Sequence, residues 1–357
     1  MEKYRVGIVG ATGMVGQRFI SLLKDHPWFE VNCVAASARS AGKTYREAVG
    51  ERWAFSWEIP EKVAGMTVVD AADIDEVSKH VDFVFCAVDM KKDEIRALEE
   101  AYAKHEIPVV SNNSACRGIE DVPMVVPEIN ADHLAVIEAQ KKRLGTKNGF
   151  IAVKPNCSIQ SYVPALTPLL DFEPEKVSVC TYQAISGAGK TFKTWPEMVD
   201  NVIPYIGGED EKSENEPLKL WGHVEDGKIV NATLPVISAQ CLRVACSDGH
   251  MAAVSVSFKK KPTIEQIKER WANYETEAQR LELPSAPKPF LQYFEDPSRP
   301  QTRLDRDFQS GFGVSIGRLR EDKLFDYRFV CLSHNTVRGA AGGGILTAEL
   351  LCRKGYI

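Results

Sequence analysis

Over the first 150 residues, short apolar runs alternate with segments whose apolar residues recur at helical spacing. Residues 4–10 (YRVGIVG) form a β-branched run ending on glycine, and 14–26 (MVGQRFISLLKDH) follow with a helical repeat. Further strands are predicted at 30–37 (EVNCVAAS), 81–88 (VDFVFCAV) and 107–112 (IPVVSN). An amphipathic helix is predicted at 91–105, and another at 133–145 with basic residues and a glycine at its end. This alternation predicts a parallel sheet with helices on its faces. After about residue 150 the pattern changes. Long β-forming stretches at 176–186, 243–258, 311–319 and 323–333 are joined by connections of unequal length, which predicts a mixed or antiparallel sheet. Residues 207–219 (GGEDEKSENEPLK) read as a loop or the solvated start of a helix, and 339–357 as a glycine-rich turn and one amphipathic helix.

Composition narrows the function classes. A chain of 357 residues can hold two domains of ordinary size. Its net charge of −5 comes from 44 Lys+Arg and 49 Asp+Glu, well mixed, which argues against nucleic-acid or membrane-surface binding. No apolar run approaches the ~20 residues needed to span a bilayer. Nine scattered cysteines form no C-x-x-C pair, and the histidines are dispersed, so no metal site is expected. The cysteines are expected to be reduced thiols in a cytoplasmic protein.

Gly10, Gly13 and Gly16 follow the first strand and open the first helix. Glycines at such a turn let the backbone approach a pyrophosphate lying on the helix N-terminus. A site for NAD usually carries an acidic residue about 20 residues further on. That place reads 35–40 (AASARS), with Ser37, Arg39 and Ser40 and no carboxylate, which suits the 2′-phosphate of NADP.

Cys157 lies in 154–162 (KPNCSIQSY). A helix beginning near Ser158 would put the thiol at its N-terminus, where free N–H groups and the dipole stabilise a thiolate; Pro164 would kink that helix. Gln183 ends a β-run before a glycine-rich turn, and Arg243 precedes His250, which follows Asp248-Gly249 at a strand end suited to an acid/base. Arg117 closes a loop (SNNSACR) after a first-domain strand and suits an anion. Singly, each has a plain structural reading: core filler for the thiol, a solvated turn for the histidine, a loop residue for the arginine.

Together, GATGMVG, SNNSACR, PNCS, QAISGAGK, GGEDEK, RVACSDGH and HNTVRGAAGGG resemble the aspartate-semialdehyde dehydrogenase family, in that family's order and across nearly the whole chain. The tail resembles the archaeal and fungal subgroup. The resemblance implies an α/β Rossmann-type NADP-binding domain (1–153), an α+β catalytic and dimerisation domain on a mixed sheet (154–335), and a C-terminal helix (336–357) returning to the first domain. It implies that Cys157 is the thioester-forming nucleophile, His250 the acid/base and Gln183 a positioner. Arg243 would hold the substrate carboxylate, Glu209 its amino group, and Arg117 and Lys212 a phosphate, with Asn113 also a substrate-binding residue and Lys219 an alternative to Lys212. Gly10, Thr12, Gly13, Met14, Val15, Ser37, Arg39, Ser40, Ser186, Gly187, Gly189 and Asn335 would line the NADP site. The implied reaction is NADPH-dependent reductive dephosphorylation of aspartyl 4-phosphate, by a homodimer or homotetramer acting on small molecules. Two alternatives stay open: an acyl-phosphate or acyl-CoA reductase of the same fold, such as a malonyl-CoA reductase, and a non-catalytic NADP-binding sensor.

Overall fold

Alternation in the first 150 residues produces one six-stranded sheet, in a computed structural model that describes residues 2–357. The strands are β1 (Tyr4–Val9), β2 (Phe29–Ala36), β3 (Val69–Asp70), β4 (Phe83–Cys86), β5 (Val109–Ser111) and β6 (Ile151–Val153). Their order is β3-β2-β1-β4-β5-β6 and every pairing is parallel. All residues of β4, β5 and β6 are buried, as expected of strands covered on both faces. β3 and β6 are not predicted: β3 has only two residues, too few to carry a period, and β6 falls where the pattern of the chain changes. Since the strands run the same way, the chain leaves β1, β2, β4, β5 and β6 at one edge, where ligands bind in such sheets. The helix predicted at 133–145 begins as a 3₁₀ turn (Ala131–Val136) and becomes α-helical only over Ile137–Leu144.

The second sheet is mixed. Its strands are β7 (Pro174–Gln183), β8 (Val202–Ile203), β11 (Val236–Val244), β12 (His250–Phe258), β13 (Leu291–Phe294), β14 (Val314–Glu321) and β15 (Tyr327–Ser333); β9 (His223–Glu225) and β10 (Lys228–Val230) form a separate hairpin. The order is β13-β14-β15-β12-β7-β11-β8. The β7–β11 and β13–β14 pairs are parallel and the others antiparallel. β12 alternates strictly between buried and half-buried residues, so one face packs on the core around Phe258, Trp271 and Phe329. The predicted stretch 243–258 is two strands joined by a turn, and β11 begins earlier, at Val236.

Two polar or glycine-rich segments differ from expectation. Residues 207–219 supply the helix Glu209–Leu220, and Glu209, Ser213 and Lys219 on it are buried. Lys219 tolerates this because its Nζ donates to the carbonyls of Arg117 and Ile119 at 2.7 Å and of Val122 at 3.0 Å. The C-terminal helix (Gly342–Arg353) is not amphipathic: only Gly343, Cys352 and Arg353 escape burial, so it lies inside the molecule rather than on it. Buried Glu349 anchors it, accepting from His26 Nε2 at 2.8 Å and from the Ser285 N–H at 3.0 Å. His26 Nδ1 accepts the Phe29 N–H at 3.1 Å, which leaves Nε2 as the ring's donor.

Candidate active site

The cofactor signal lies where β1 ends. Gly10 has φ of 91°, a conformation that strains any side chain, and a Cβ there would stand 2.3 Å from the Ala87 carbonyl oxygen. A cleft of about 570 Å³ opens beside it, with Gly10, Thr12 and Gly13 on one wall and Ser37, Arg39 and Ser40 on the other. Met14 and Val15 begin the helix and are not among its lining residues. Lys43 and Arg52 add two cations to Arg39, against Asp89 as the single acidic lining residue. A bare glycine turn and three cations fit a dinucleotide bearing an extra phosphate. The chain after β2 therefore walls this cleft through Ser40, Lys43, Ala48 and Arg52, and Gln17 holds the end of that stretch, accepting the Ala54 N–H at 2.8 Å.

β6 delivers Cys157 to the same edge of the sheet. After Val153 the chain turns through Lys154-Pro155-Asn156, and Asn156 Oδ1 accepts the Ser158 N–H at 2.7 Å and its hydroxyl at 2.6 Å. The helix expected from Ser158 is absent. Successive turns lead to a four-residue helix (Val163–Leu166) and a 3₁₀ segment (Thr167–Phe172). Pro164 sits in the first turn of that short helix, where its missing N–H costs nothing, and so introduces no kink. The thiol thus lacks an N-terminal helix dipole. Burial pushes the Cys157 thiol up, Glu209 adds to this, and Lys154, Arg117 and Arg243 pull it down without cancelling the rise.

Residues distant in sequence converge on this thiol because neighbouring strands end together. In the parallel β7–β11 pair, Gln183 stands opposite Arg243. β12 lies on the other side of β7 and begins with His250, whose Nε2 is 3.5 Å from Cys157 Sγ. The Ala184 N–H donates to His250 Nδ1 at 3.1 Å, which puts the hydrogen of the neutral ring on Nε2, facing sulfur. Burial, then the charges of Arg243 and His334, hold the imidazole well below its ordinary range; the Gly249 carbonyl opposes this and is outweighed. Asn335 donates to Ser186 Oγ and accepts the Gly249 N–H, both at 2.8 Å, so the Ser186 turn is tied to the strand end carrying His250.

Arg243 is 6% exposed, and its Nη1 donates to the Ala184 carbonyl at 2.7 Å. Gly187 covers both it and His250: a Cβ there would lie 2.8 Å from Arg243 Nη1 and 3.0 Å from His250 Nε2. Gly187→Ala is therefore expected to lower kcat/KM by about tenfold to a hundredfold, through displacement of those groups. A steady-state rate unchanged in that variant would separate this turn from the chemistry. Gly189, two residues on, has a φ of 66° and open space around it.

The carboxylates are already in use. Glu209 accepts from Lys212 at 2.8 Å, Asn156 at 2.9 Å and Gln183 at 3.2 Å. Burial raises its carboxyl, but the Lys212 charge and these bonds outweigh burial and leave it below the usual range. Arg117 meets Glu216 at 3.0 Å. Asn113 does not face this group: its amide donates to buried Glu99 at 2.9 Å and to Cys86 Sγ at 3.4 Å, so it braces the loop from beneath. Sequence reasoning missed Lys154, Asn156 and Glu216. Lys154 closes an apolar run and is buried, its ammonium on the Pro155 carbonyl; burial, then Arg117, lower its pKa to about 7. Glu216 is seven residues from Glu209, a helical spacing visible only once that segment is known to be a helix.

The chain is similar to known proteins along its length. Residues 5–137 match a model described as semialdehyde dehydrogenase, NAD binding domain, and 166–338 one described as semialdehyde dehydrogenase, dimerisation domain. The chain is 45% identical to an aspartate-semialdehyde dehydrogenase of Schizosaccharomyces pombe and 43% identical to that of Aspergillus fumigatus, over 99% of each chain. A crystal structure of aspartate semialdehyde dehydrogenase with NADP from Candida albicans superposes with a TM-score of 0.90 at 39% identity, covering 100% of both chains. The chain belongs to the aspartate-semialdehyde dehydrogenase family.

Proposed function

We propose that this chain interconverts L-aspartyl 4-phosphate and L-aspartate 4-semialdehyde with NADP and phosphate, through a thioester on Cys157, in the biosynthesis of lysine, threonine, methionine and isoleucine. The observation that carries the reading is the 3.5 Å approach of Cys157 Sγ to His250 Nε2, with buried Arg243 beside them. Sγ attacks the acyl carbon, the carbon–oxygen bond to phosphate breaks, and the thiol proton leaves with the phosphate. NADPH, when bound, supplies the hydride that reduces the acyl carbon. His250, as an Nε2–H donor, stabilises the oxyanion on that carbon until the carbon–sulfur bond breaks, the aldehyde leaves and the released thiolate takes a proton from solvent to restore the thiol. Arg243 holds the substrate carboxylate, Glu209 the ammonium, Gln183 orients the acyl group, and Arg117 with Lys212 holds phosphate. Lys219 does not share that role, because three carbonyls already occupy its ammonium.

For the cofactor, the proposal assigns the 2′-phosphate to Arg39 and the hydroxyls of Ser37 and Ser40, and the pyrophosphate to the 10–15 turn. Ser186, Gly187, Gly189 and Asn335 border the end nearest His250. The proposal divides the chain at 153/154 and 335/336. A homodimer or homotetramer is supported by the uncovered side of the second sheet, where Tyr182, Val202 and Val236 are exposed with Tyr205 beside them. A cytoplasmic location is supported by nine free cysteines. Among the described residues no helix is long and apolar enough to cross a membrane.

The test is NADP reduction by aspartate semialdehyde. A rate that requires inorganic phosphate is expected; a rate that instead requires coenzyme A would transfer the chain to an acyl-CoA reductase activity.

A further inference from the structure

Glu216 lies on the inward face of the helix Glu209–Leu220, seven residues after Glu209, with its side chain 11% exposed. Each of its oxygens has a different partner. Oε1 accepts from Arg117 Nη1 at 3.0 Å, and Oε2 accepts the backbone N–H of Asn156 at 2.5 Å. The first partner comes from the loop after β5 and the second from the loop after β6, one residue before Cys157. Arg117 Nη2 donates to the Asn112 carbonyl at 3.1 Å, so two of the guanidinium's nitrogens are fixed by the protein. Its Nε is buried and has no partner in a residue only 9% exposed. An unpaired N–H of this kind is costly unless a ligand accepts from it.

We propose that Glu216 is a positioning residue that makes the phosphate-holding arginine and the nucleophile loop one rigid unit. The proposal rests on the reading that Arg117 holds phosphate. The carboxylate aligns the guanidinium so that Nε is left for the anion, and it ties the Asn156 backbone so that the thiol stands at a set distance from that anion. It also removes the Asn156 N–H from the groups available to an oxyanion. Only a carboxylate can do this from one side chain. Both partners are donors, so an amide would satisfy one and turn its own N–H toward the other. An aspartate keeps the charge but is one methylene too short to span both.

Glu216→Gln is therefore expected to raise KM for phosphate by about tenfold or more in the direction that oxidises aldehyde, and to lower kcat, since misplacement of about 1 Å costs as much as a hundredfold. KM for NADP should stay within about twofold, because the residue lies outside the dinucleotide cleft; a residue that only stabilised the fold would not divide the two constants. Arg117→Lys is measured alongside. If Arg117→Lys leaves KM for phosphate unchanged, the reading of Arg117 fails. If it raises KM while Glu216→Gln does not, the Glu216 proposal alone fails. In the double variant the loss should be no larger than the greater single loss, and additive losses overturn the coupling. The unaltered chain serves if a variant does not fold: saturating phosphate should slow amide hydrogen exchange at Asn156, and unchanged exchange there overturns the proposal.

Discussion

Cys157→Ala is expected to abolish turnover, by at least about 10⁴-fold, while binding of NADP is retained. The substitution keeps Cβ, the atom that would stand 2.9 Å from a Cβ at Gly339, and removes only sulfur, so packing at the glycine-rich turn persists. Cofactor titration and phosphate-dependent rate, measured on one preparation, make the comparison; a near-normal rate would end the thioester mechanism. The same sulfur has a pH signature. In the resting site its ionisation is opposed by burial first and Glu209 second, and is favoured by Lys154, Arg117 and Arg243. Lys154 sits near its own midpoint, at about 7, and below that pH it presents a buried ammonium close to the thiol. A cation lowers a thiol's pKa only while it is charged, and Cys157 ionises above the midpoint of Lys154, so Lys154→Met should leave the rise of Cys157 alkylation nearly in place. A shift of that rise to higher pH by about one unit or more would show Lys154 still charged where the thiol titrates.

His250→Asn should cost about 10²- to 10³-fold in kcat, the usual range for displacing one donor to an oxyanion. The structure adds a constraint on how this histidine works. With Nδ1 taken by the Ala184 N–H, the neutral ring can offer only Nε2–H to the reacting atoms. A second proton would have to face that N–H, in a buried site beside Arg243. The sign follows: a histidine whose midpoint is depressed stays neutral down through its ordinary titration range and charges only at lower pH. No inflection in kcat/KM is expected near the ordinary histidine value of about 6.5. An inflection there that disappears in His250→Asn would show the imidazole titrating normally and contradict the donor assignment.

Much of the site was legible without coordinates because its members mark local backbone events. Gly10 ends a strand, Gln183 ends another, and His250 opens a third after an Asp-Gly turn. What misled was the segment after Cys157. Its apolar spacing suited a helix, yet Asn156 captured the Ser158 N–H and hydroxyl and the chain entered turns instead. The acidic run at 209–216 looked solvated because charged residues usually are. Its Glu209 and Glu216 turn inward because each found partners: Glu209 has Lys212 one turn along the same helix, with Asn156 and Gln183 from other segments, and Glu216 has Arg117. Asn113 was assigned to substrate from its motif, and its amide instead braces Glu99.

Strand and helix alternation, the glycine turn at 10–16, the lack of an acid after β2 and the candidate nucleophile were all determined by the sequence itself, since each depends on residues a few positions apart. The tertiary structure decided which groups share the thiol's surroundings and in what charge state. Cys157 and His250 are 93 residues apart, and their approach depends on two sheets ending at one place. Burial then couples a thiol, an imidazole, Lys154, Arg243 and Glu209 through a medium of low dielectric, where each group's ionisation depends on all the others and no local pattern encodes the sum.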